Sequence, residues 1–411
     1  MRLLIVSQYF WPENFRVNDL VSELVRRGHE VTVLTGEPNY PDGAIFAAYR
    51  HAPHEFATYA GARIVRVPLV ARGSSNLRLV LNYLTYAISA SVLGAWRLRN
   101  QHFDAIFVFQ ASPVTAALPA VLLRRLKRAP IALWVLDLWP ESLTAVGVIG
   151  PGRTLRAVAK LVSFIYGHSD LVLAQSMAFM PIIERYAPKD TNVRYFPGWA
   201  EGLFDASSDE APPAPELAPH SDAFKIVFTG NIGEAQDFPA ILEAAELLRH
   251  ETRIHWLIVG DGRAAASVKA EIARRVLGST VFMLGRHPLE RMPSFFRAAD
   301  ALLVTLRQEP IFAMTIPGKV QTYLTSGRPL LGMIDGEGAR VIEESGAGYV
   351  APAGQSQELA RLALELSHLP QAERKAMAMR ARRYAAAEFD RATLITRLES
   401  WLAELPRPPA G

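Results

Sequence analysis

The sequence predicts an α/β protein of two doubly wound, Rossmann-like domains facing one another across a cleft. Three observations carry that expectation. Nearly continuous apolar runs of strand length recur along the chain with helical patterns between most of them, which is how a parallel sheet covered on both faces reads. Residues 205–223, DASSDEAPPAPELAPHSDA, break that rhythm with proline, alanine and acid and offer no apolar face. The rhythm then restarts at FKIVFTGNIG. A chain of 411 residues is too long for one core and suits two domains of about 200.

Taken in order, strands are expected at 3–7, 30–34, 64–68, 105–109, 131–136, 171–174 and 193–196. NDLVSELVRRGHE is an amphipathic helix stopped by Gly28. The first domain is set at 1–204 and the break at 205–223 is read as a surface linker. The second domain spans 224–385, with strands in FKIVFTG, IHWLIVG, TVFMLG, ALLVTL and LLGMI, and a helical segment occupies 386–411.

Half of the residues are apolar and a fifth charged, which excludes disorder. Cysteine is absent, so disulfides and thiolate metal sites are excluded and a reducing compartment is favoured. The opening apolar run is too short for a signal peptide. Net charge is uneven: residues 1–200 carry +8 and residues 201–411 carry −4. The basic half suits an anionic partner such as a membrane, a phosphorylated lipid or nucleic acid, or reflects surface charge alone.

Ligands of open α/β sheets bind beyond the carboxyl ends of the strands. The first such end reads YFWPENFR, where Pro12 stops the strand, Asn14 is a cap or a contact, and Arg16 can meet an anion. Asp137, after the apolar run in WVLDLWPESL, either caps the next turn or contacts an acceptor hydroxyl, with Glu141 a weaker second. Gly230 and Gly233 in FTGNIGEAQDF leave backbone N–H groups open to a diphosphate, although the loop is neither G-x-G-x-x-G nor a P-loop. IVGDGR adds Gly260, Gly262 and Arg263 at the next strand end. In TIPGKVQTYLTSG, Thr315 can cap and Pro317 fits a first helical turn, with Gly318 and Lys319 directly after. The dipole disfavours lysine there, so Lys319 either tolerates solvent or holds a phosphate against the backbone. Glu337 in DGEG stands at another helix start, as a favourable first-turn acid or a contact to a sugar hydroxyl. With no D-x-D, H-E-x-x-H or spaced histidines, no metal is expected.

From Leu77 to Arg99 a long apolar helical pattern carries Arg78, Arg97 and Arg99 near its ends and the rings of Tyr83, Tyr86 and Trp96. With RRLKR at 124–128 it can lie on an anionic bilayer, or it packs between layers; Asn82 and Arg78 argue against a spanning helix.

The segments SQYFWPENFRVNDL, RGHEVTVLTGEPNYPDG, LDLWPESL, FTGNIGEAQDF and IPGKVQTYLTSGRPLLGMIDGEGA together resemble the family 4 retaining, nucleotide-sugar-dependent glycosyltransferases of the GT-B fold. Within them the chain is similar to the subgroup that builds bacterial surface polysaccharides and O-antigens, including N-acetyl-L-fucosamine transferases. The resemblance implies an acceptor-binding first domain, a second domain that takes a UDP-sugar, and a last helix that crosses back to the first. It places Glu13, Asn14 and Arg16 on the acceptor side. Gly230, Asn231 and Gly233 would flank the diphosphate, with Gly318 and Thr322 beside them and Arg263 near the nucleotide. It further implies a polyprenyl-diphosphate-linked saccharide as acceptor, a cytoplasmic location against the inner face of the membrane, and neither a metal nor a tightly bound cofactor.

The chain departs from the family at the usual pair of glutamates, where Met314 and Thr322 stand, and at the phosphate-clamp arginine, where Asn231 stands. Lys319 is the expected replacement for the clamp, and Glu337 or Glu309 for the sugar-contacting acid. The rivals are a sugar-nucleotide epimerase of similar shape and a non-catalytic binder. A nucleic-acid role is disfavoured, because aromatics are not interleaved with Lys and Arg.

Overall fold

The computed structural model describes residues 1–73, 75–145, 150, 152–200, 204 and 211–406. The chain divides into two units, Met1–Phe196 with Ala392–Gly411, and Pro197–Arg391.

The first unit is built on β1 (Arg2–Val6), β2 (Glu30–Gly36), β3 (Thr58–Tyr59), β4 (Ala62–Val67), β5 (Ala105–Gln110), β6 (Ile131–Val135), β7 (Leu171–Ala174) and β8 (Val193–Tyr195). Their order is β3-β4-β2-β1-β5-β6-β7-β8. All pairings are parallel except that of β3 with β4. The two-residue β3 was not among the expected strands; it is too short to leave an apolar period. The middle of the sheet is buried on both faces, with every residue of β5 and β6 enclosed, which is why those strands read as unbroken apolar runs. The second unit carries β9 (Phe224–Thr229), β10 (Ile254–Val259), β11 (Val281–Gly285), β12 (Ala301–Thr305), β13 (Leu330–Met333) and β14 (Gly348–Ala351), all parallel, in the order β11-β10-β9-β12-β13-β14.

Each sheet reverses its winding once, between β1 and β5 in the first and between β9 and β12 in the second. At such a reversal the flanking connections diverge to opposite faces and leave a crevice at the carboxyl ends.

Seven helices bear on the two crevices and their surroundings: α1 (Arg16–Arg26), α2 (Asn76–Ser89), α3 (Leu118–Lys127), α4 (Phe238–Leu247), α5 (Gly318–Ser326), α6 (Gly336–Ser345) and α7 (Arg391–Glu404). α1 buries Val17, Leu20, Val21 and Leu24, the spacing of one helical face. The hydroxyl of Ser75 caps α2 by accepting from the Arg78 N–H at 3.3 Å. α2 runs on through a π turn, Ala90–Gly94, into Ala95–Arg97.

That run, Asn76–Arg97, is 22 residues long and apolar enough in length and composition to cross a membrane. Its inner face nonetheless belongs to the fold: Asn82, Tyr86, Ala90 and Gly94 are buried, and Gly94 lies against Leu34 of β2. Tyr86, expected as an interface ring, is enclosed instead, its hydroxyl 3.4 Å from the Leu34 carbonyl. The outer face exposes Leu77, Val80, Leu81, Leu84, Ile88, Val92 and Trp96.

The chain passes between units at 196/197 rather than 204/205. Part of the expected linker, 205–210, lies outside the described residues. Residues 211–223 are not bare surface: a 3₁₀ turn, Pro215–His220, buries Leu217, and Glu216 forms a bidentate pair with Arg291 at 2.7 and 2.8 Å. α7 packs within the first unit. Glu399 accepts from Arg27 at 2.7 Å and meets His29 Nε2 at 2.6 Å, and Trp401 packs edge-on against Phe196.

Candidate functional site

In the second unit the crevice between β9 and β12 is lined by the loop after β9. That loop is fastened to the one after β10: Gly230 N–H donates to the Val259 carbonyl, Ile232 N–H to the Asp261 carbonyl, and Ala264 N–H back to the Ile232 carbonyl. Gly230 has φ +122°, and Gly260 approaches it so closely that a Cβ there would sit 1.8 Å from the Gly230 carbonyl oxygen. Only glycine permits this contact.

Lys319, in the first turn of α5, reaches this loop. A Cβ on Gly230 would lie 3.0 Å from Lys319 Cε and 3.4 Å from Nζ. The ammonium donates to Gln236 Oε1 at 2.7 Å and sits 3.8 Å from the centre of the Phe228 ring. The residue as a whole is half-buried, but its charged end is enclosed, and burial pushes its pKa down to about 7. α5 is held in place by Tyr323, one turn on, whose hydroxyl accepts the Thr229 N–H at 3.2 Å and lies 3.0 Å from Thr229 Oγ1. Gln236 is held in turn by Thr305 of β12, which donates to its carbonyl at 2.6 Å. The arrangement is a cation with no carboxylate bonded to it among the described residues, beside open backbone at a strand end, which is suited to an anion.

The expected residues separate into those the cradle gathers and those it does not. Gly230, Lys319 and Gly318, which begins α5 after Pro317, belong to it. Asn231 and Arg263 are exposed on the two fastened loops, Gly233 is half-buried beside Asn231, and Thr322 is half-buried on α5. Thr315 does not cap α5; its hydroxyl donates to the Ile311 carbonyl, and Pro317 holds the cap position. Glu337 stands in the first turn of α6 as expected, but its carboxylate is buried against Arg340, at 3.0 and 3.3 Å. That pairing removes it as a free contact for a sugar hydroxyl. Glu309 caps the short helix Pro310–Ala313 through its carbonyl, with its side chain half-buried. Gln236, Phe228 and Tyr323 escaped sequence reasoning. The spacing of Lys319 and Tyr323 on one face of α5 was the only signal.

In the first unit Asp137 lies just past β6. Its carboxylate accepts from Trp139 Nε1 at 2.9 Å, its carbonyl accepts from Gln110 Nε2 at 2.9 Å, and burial raises its pKa. Glu141 accepts the Tyr186 hydroxyl at 2.9 Å. The YFWPENFR loop is braced from within. Glu13, expected on the acceptor side, is buried and accepts three backbone N–H groups, from Phe10 at 3.0 Å and from Asn39 and Tyr40 at 2.8 Å each. Both oxygens are therefore occupied in tying two strand-end loops together, which corrects the expectation of a ligand contact. Burial still raises its pKa to about 7. Asn18 closes the loop by accepting from Trp11 N–H and donating to the Glu13 carbonyl. Asn14 is exposed, and Arg16 begins α1 half-buried.

Two family profiles cover most of the chain: "Glycosyl transferase 4-like domain" matches residues 14–199 and "Glycosyl transferases group 1" matches residues 223–368. The chain is a glycosyltransferase. Among relatives, WcaI of Escherichia coli, which carries a colanic acid biosynthesis glycosyl transferase name, is 27% identical over 347 residues, 80% of this chain and 82% of WcaI. WbjE of Pseudomonas aeruginosa, named as a glycosyltransferase, is 28% identical over 262 residues, 61% of this chain and 64% of its own length, so that match spans under two thirds of WbjE. Among solved structures, HepE of Anabaena in complex with UDP superposes with a TM-score of 0.70 at 16% identity, covering 98% of this chain and 100% of HepE. WaaG, a glycosyltransferase involved in lipopolysaccharide biosynthesis, gives 0.67 at 15%, covering 98% and 100%. These structures share the fold, which is GT-B: two parallel-sheet α/β domains in one chain.

Proposed function

We propose that this glycosyltransferase transfers a sugar, with N-acetyl-L-fucosamine the first candidate, from a UDP-sugar to a polyprenyl-diphosphate-linked saccharide in surface polysaccharide assembly. The observation that carries the reading is the enclosed Lys319 ammonium against the Gly230 loop. A leaving nucleoside diphosphate needs its developing charge met by fixed donors. Lys319 and the N–H groups around Gly230 and Gly318 supply them without a metal. The names and ligands of WcaI, HepE and WaaG support a nucleotide-sugar donor and a polysaccharide product.

In this mechanism the bond from the anomeric carbon to the β-phosphate oxygen breaks, and its electron pair goes to the diphosphate. An acceptor hydroxyl oxygen bonds to the same face of that carbon, so configuration is retained. The hydroxyl proton passes to the departing phosphate. Asp137 orients the acceptor hydroxyl rather than taking its proton.

The outer stripe of α2, with Arg97 and Arg99 at its far end and the basic turn of α3 nearby in the fold, suits a cytoplasmic enzyme lying flat on the inner membrane face. The test is release of nucleoside diphosphate from a panel of UDP- and GDP-sugars, with and without a short polyprenyl-diphosphate saccharide. Release that needs the acceptor, with a heavier lipid product by mass, is the expected result; epimerisation or binding alone overturns it.

A further inference from the structure

Resting on the transferase reading above, we propose that Arg72 and Arg78 form the binding site for a lipid-borne diphosphate in the first unit, with the apolar stripe of α2 as the bed for the lipid chain. Beneath the two arginines lies a buried amide network. Asn82, fully buried on α2, accepts from Gln8 Nε2 at 2.6 Å and donates to the Val70 carbonyl at 2.7 Å and to Asn39 Oδ1 at 3.2 Å. Asn39, also fully buried, accepts the Arg72 N–H at 3.1 Å, and Thr85 Oγ1 accepts the Val70 N–H at 3.0 Å. Enclosing two asparagines and a glutamine is unfavourable unless they define something an apolar core would not. Here their bonds converge on residues 70–72 and fix the backbone that carries Arg72.

The Arg72 guanidinium lies 5.4 Å from the centre of the Tyr40 ring and faces the phenols of Tyr9 and Tyr83. No carboxylate pairs with it among the described residues. Two other arginines of this unit's sheet and helices, Arg27 and Arg124, are each neutralised by an acid. Arg72 is thus a half-buried cation framed by rings, a setting that admits an anion between planar donors. Arg78 completes a pair. Gly73 has φ +57°, and a Cβ on it would come within 2.4 Å of Arg78 Cδ, so the Arg78 side chain lies across a residue that has none. Two forked cations flanking one glycine suit two linked phosphates better than a single one.

The first three turns of α2, which carry Arg78, expose Leu77, Val80, Leu81 and Leu84. A ligand with a diphosphate head and an isoprenoid tail matches both halves at once. Inorganic diphosphate shares only the head and a phospholipid only one phosphate, so neither is the proposed occupant.

The test uses the full chain with saturating UDP, which fills the phosphate site of the second unit, and tracks binding by calorimetry. The probes are farnesyl diphosphate, farnesol, inorganic pyrophosphate and a short-chain phosphatidylglycerol. Farnesyl diphosphate is expected to bind most tightly, and Arg72→Gln to weaken it about tenfold or more while UDP affinity is unchanged. Arg72→Lys keeps the charge but loses the fork and falls between. Arg78→Gln, at an exposed position, is expected to weaken it severalfold with the melting temperature nearly unchanged. Binding that is absent, equal for pyrophosphate and farnesyl diphosphate, or indifferent to both substitutions overturns the site. Arg72-dependent binding with no sugar passed from any UDP-sugar to a polyprenyl-diphosphate saccharide would leave the site standing and remove the proposed donor and acceptor instead.

Discussion

UDP binding should draw close to one proton from solvent near pH 8, and Lys319 should take up almost none near pH 6. Lys319 is the group that takes it up. Burial holds its pKa at about 7 in the free protein, so at about pH 8 roughly nine molecules in ten carry a neutral amine. A diphosphate beside Nζ returns the amine to its ordinary range above 10, fully charged. The lysine alone accounts for about 0.9 proton taken up per UDP near pH 8, about 0.5 near pH 7 and about 0.1 near pH 6, the last two offset by protons released from the UDP terminal phosphate. The terminal phosphate of UDP is already ionised near pH 8 and contributes nothing there. Calorimetry in buffers of different ionisation enthalpy reads the uptake directly. In Lys319→Met it should vanish near pH 8, with affinity also reduced. Uptake near zero in the native chain, or unchanged in Lys319→Met, would refute the placement of the lysine at the diphosphate. The sign for stability agrees: a lysine with a lowered folded pKa favours the fold when neutral, so the free protein loses stability as pH falls from the unfolded value of 10.5 through about 7, and UDP restores it.

Glu13→Ala should cost roughly 3 kcal/mol or more in urea unfolding, since it strips acceptors from three backbone N–H groups. Because its folded pKa of about 7 exceeds the unfolded 4.5, its protonation-linked stability is fully present below pH 4.5 and is lost as pH rises through about 7; Glu13→Ala should flatten that part of the stability–pH curve. Replacing Leu84, Ile88 and Val92 with serine should abolish sedimentation with anionic vesicles while leaving the melting temperature nearly unchanged, as all three are exposed. Asp137→Asn should lower kcat by about tenfold or more with little change in affinity for UDP, measured by nucleotide release. Glu399→Ala should loosen α7 by about 1–3 kcal/mol, seen as faster hydrogen exchange in α7, because it unpairs Arg27 and His29 together.

Most of the fold was legible because buried parallel strands must be apolar throughout. β5 and β6 could hardly read otherwise. Strand order was not legible: the placement of β5 beside β1 depends on contacts about a hundred residues apart. Lys319 stood out because a lysine in a first helical turn opposes the dipole. Its partners did not, since Phe228 reads as core and Gln236 as an ordinary loop amide. Glu13 was misjudged for a physical reason. A carboxylate among aromatics at a strand end looks the same in sequence whether it awaits a ligand or is saturated by backbone. Arg72 left no trace at all, because what singles it out is that no acid among the described residues pairs with it and that amides fix the backbone beneath it.

The return of α7 has a consequence for any attempt to take the protein apart. The second unit is an insertion within the first, entered at 196/197 and left at 391/392. Cutting the chain once, after Phe196, would therefore not liberate a finished module. It would leave the ring of Phe196 without Trp401, and Arg27 and His29 without Glu399. Excising 197–391 and closing the gap with a short flexible joint would instead keep every one of those contacts. The first unit is thus a protein in two pieces of sequence, and the second is exchangeable as a cassette with two seams rather than as a tail with one.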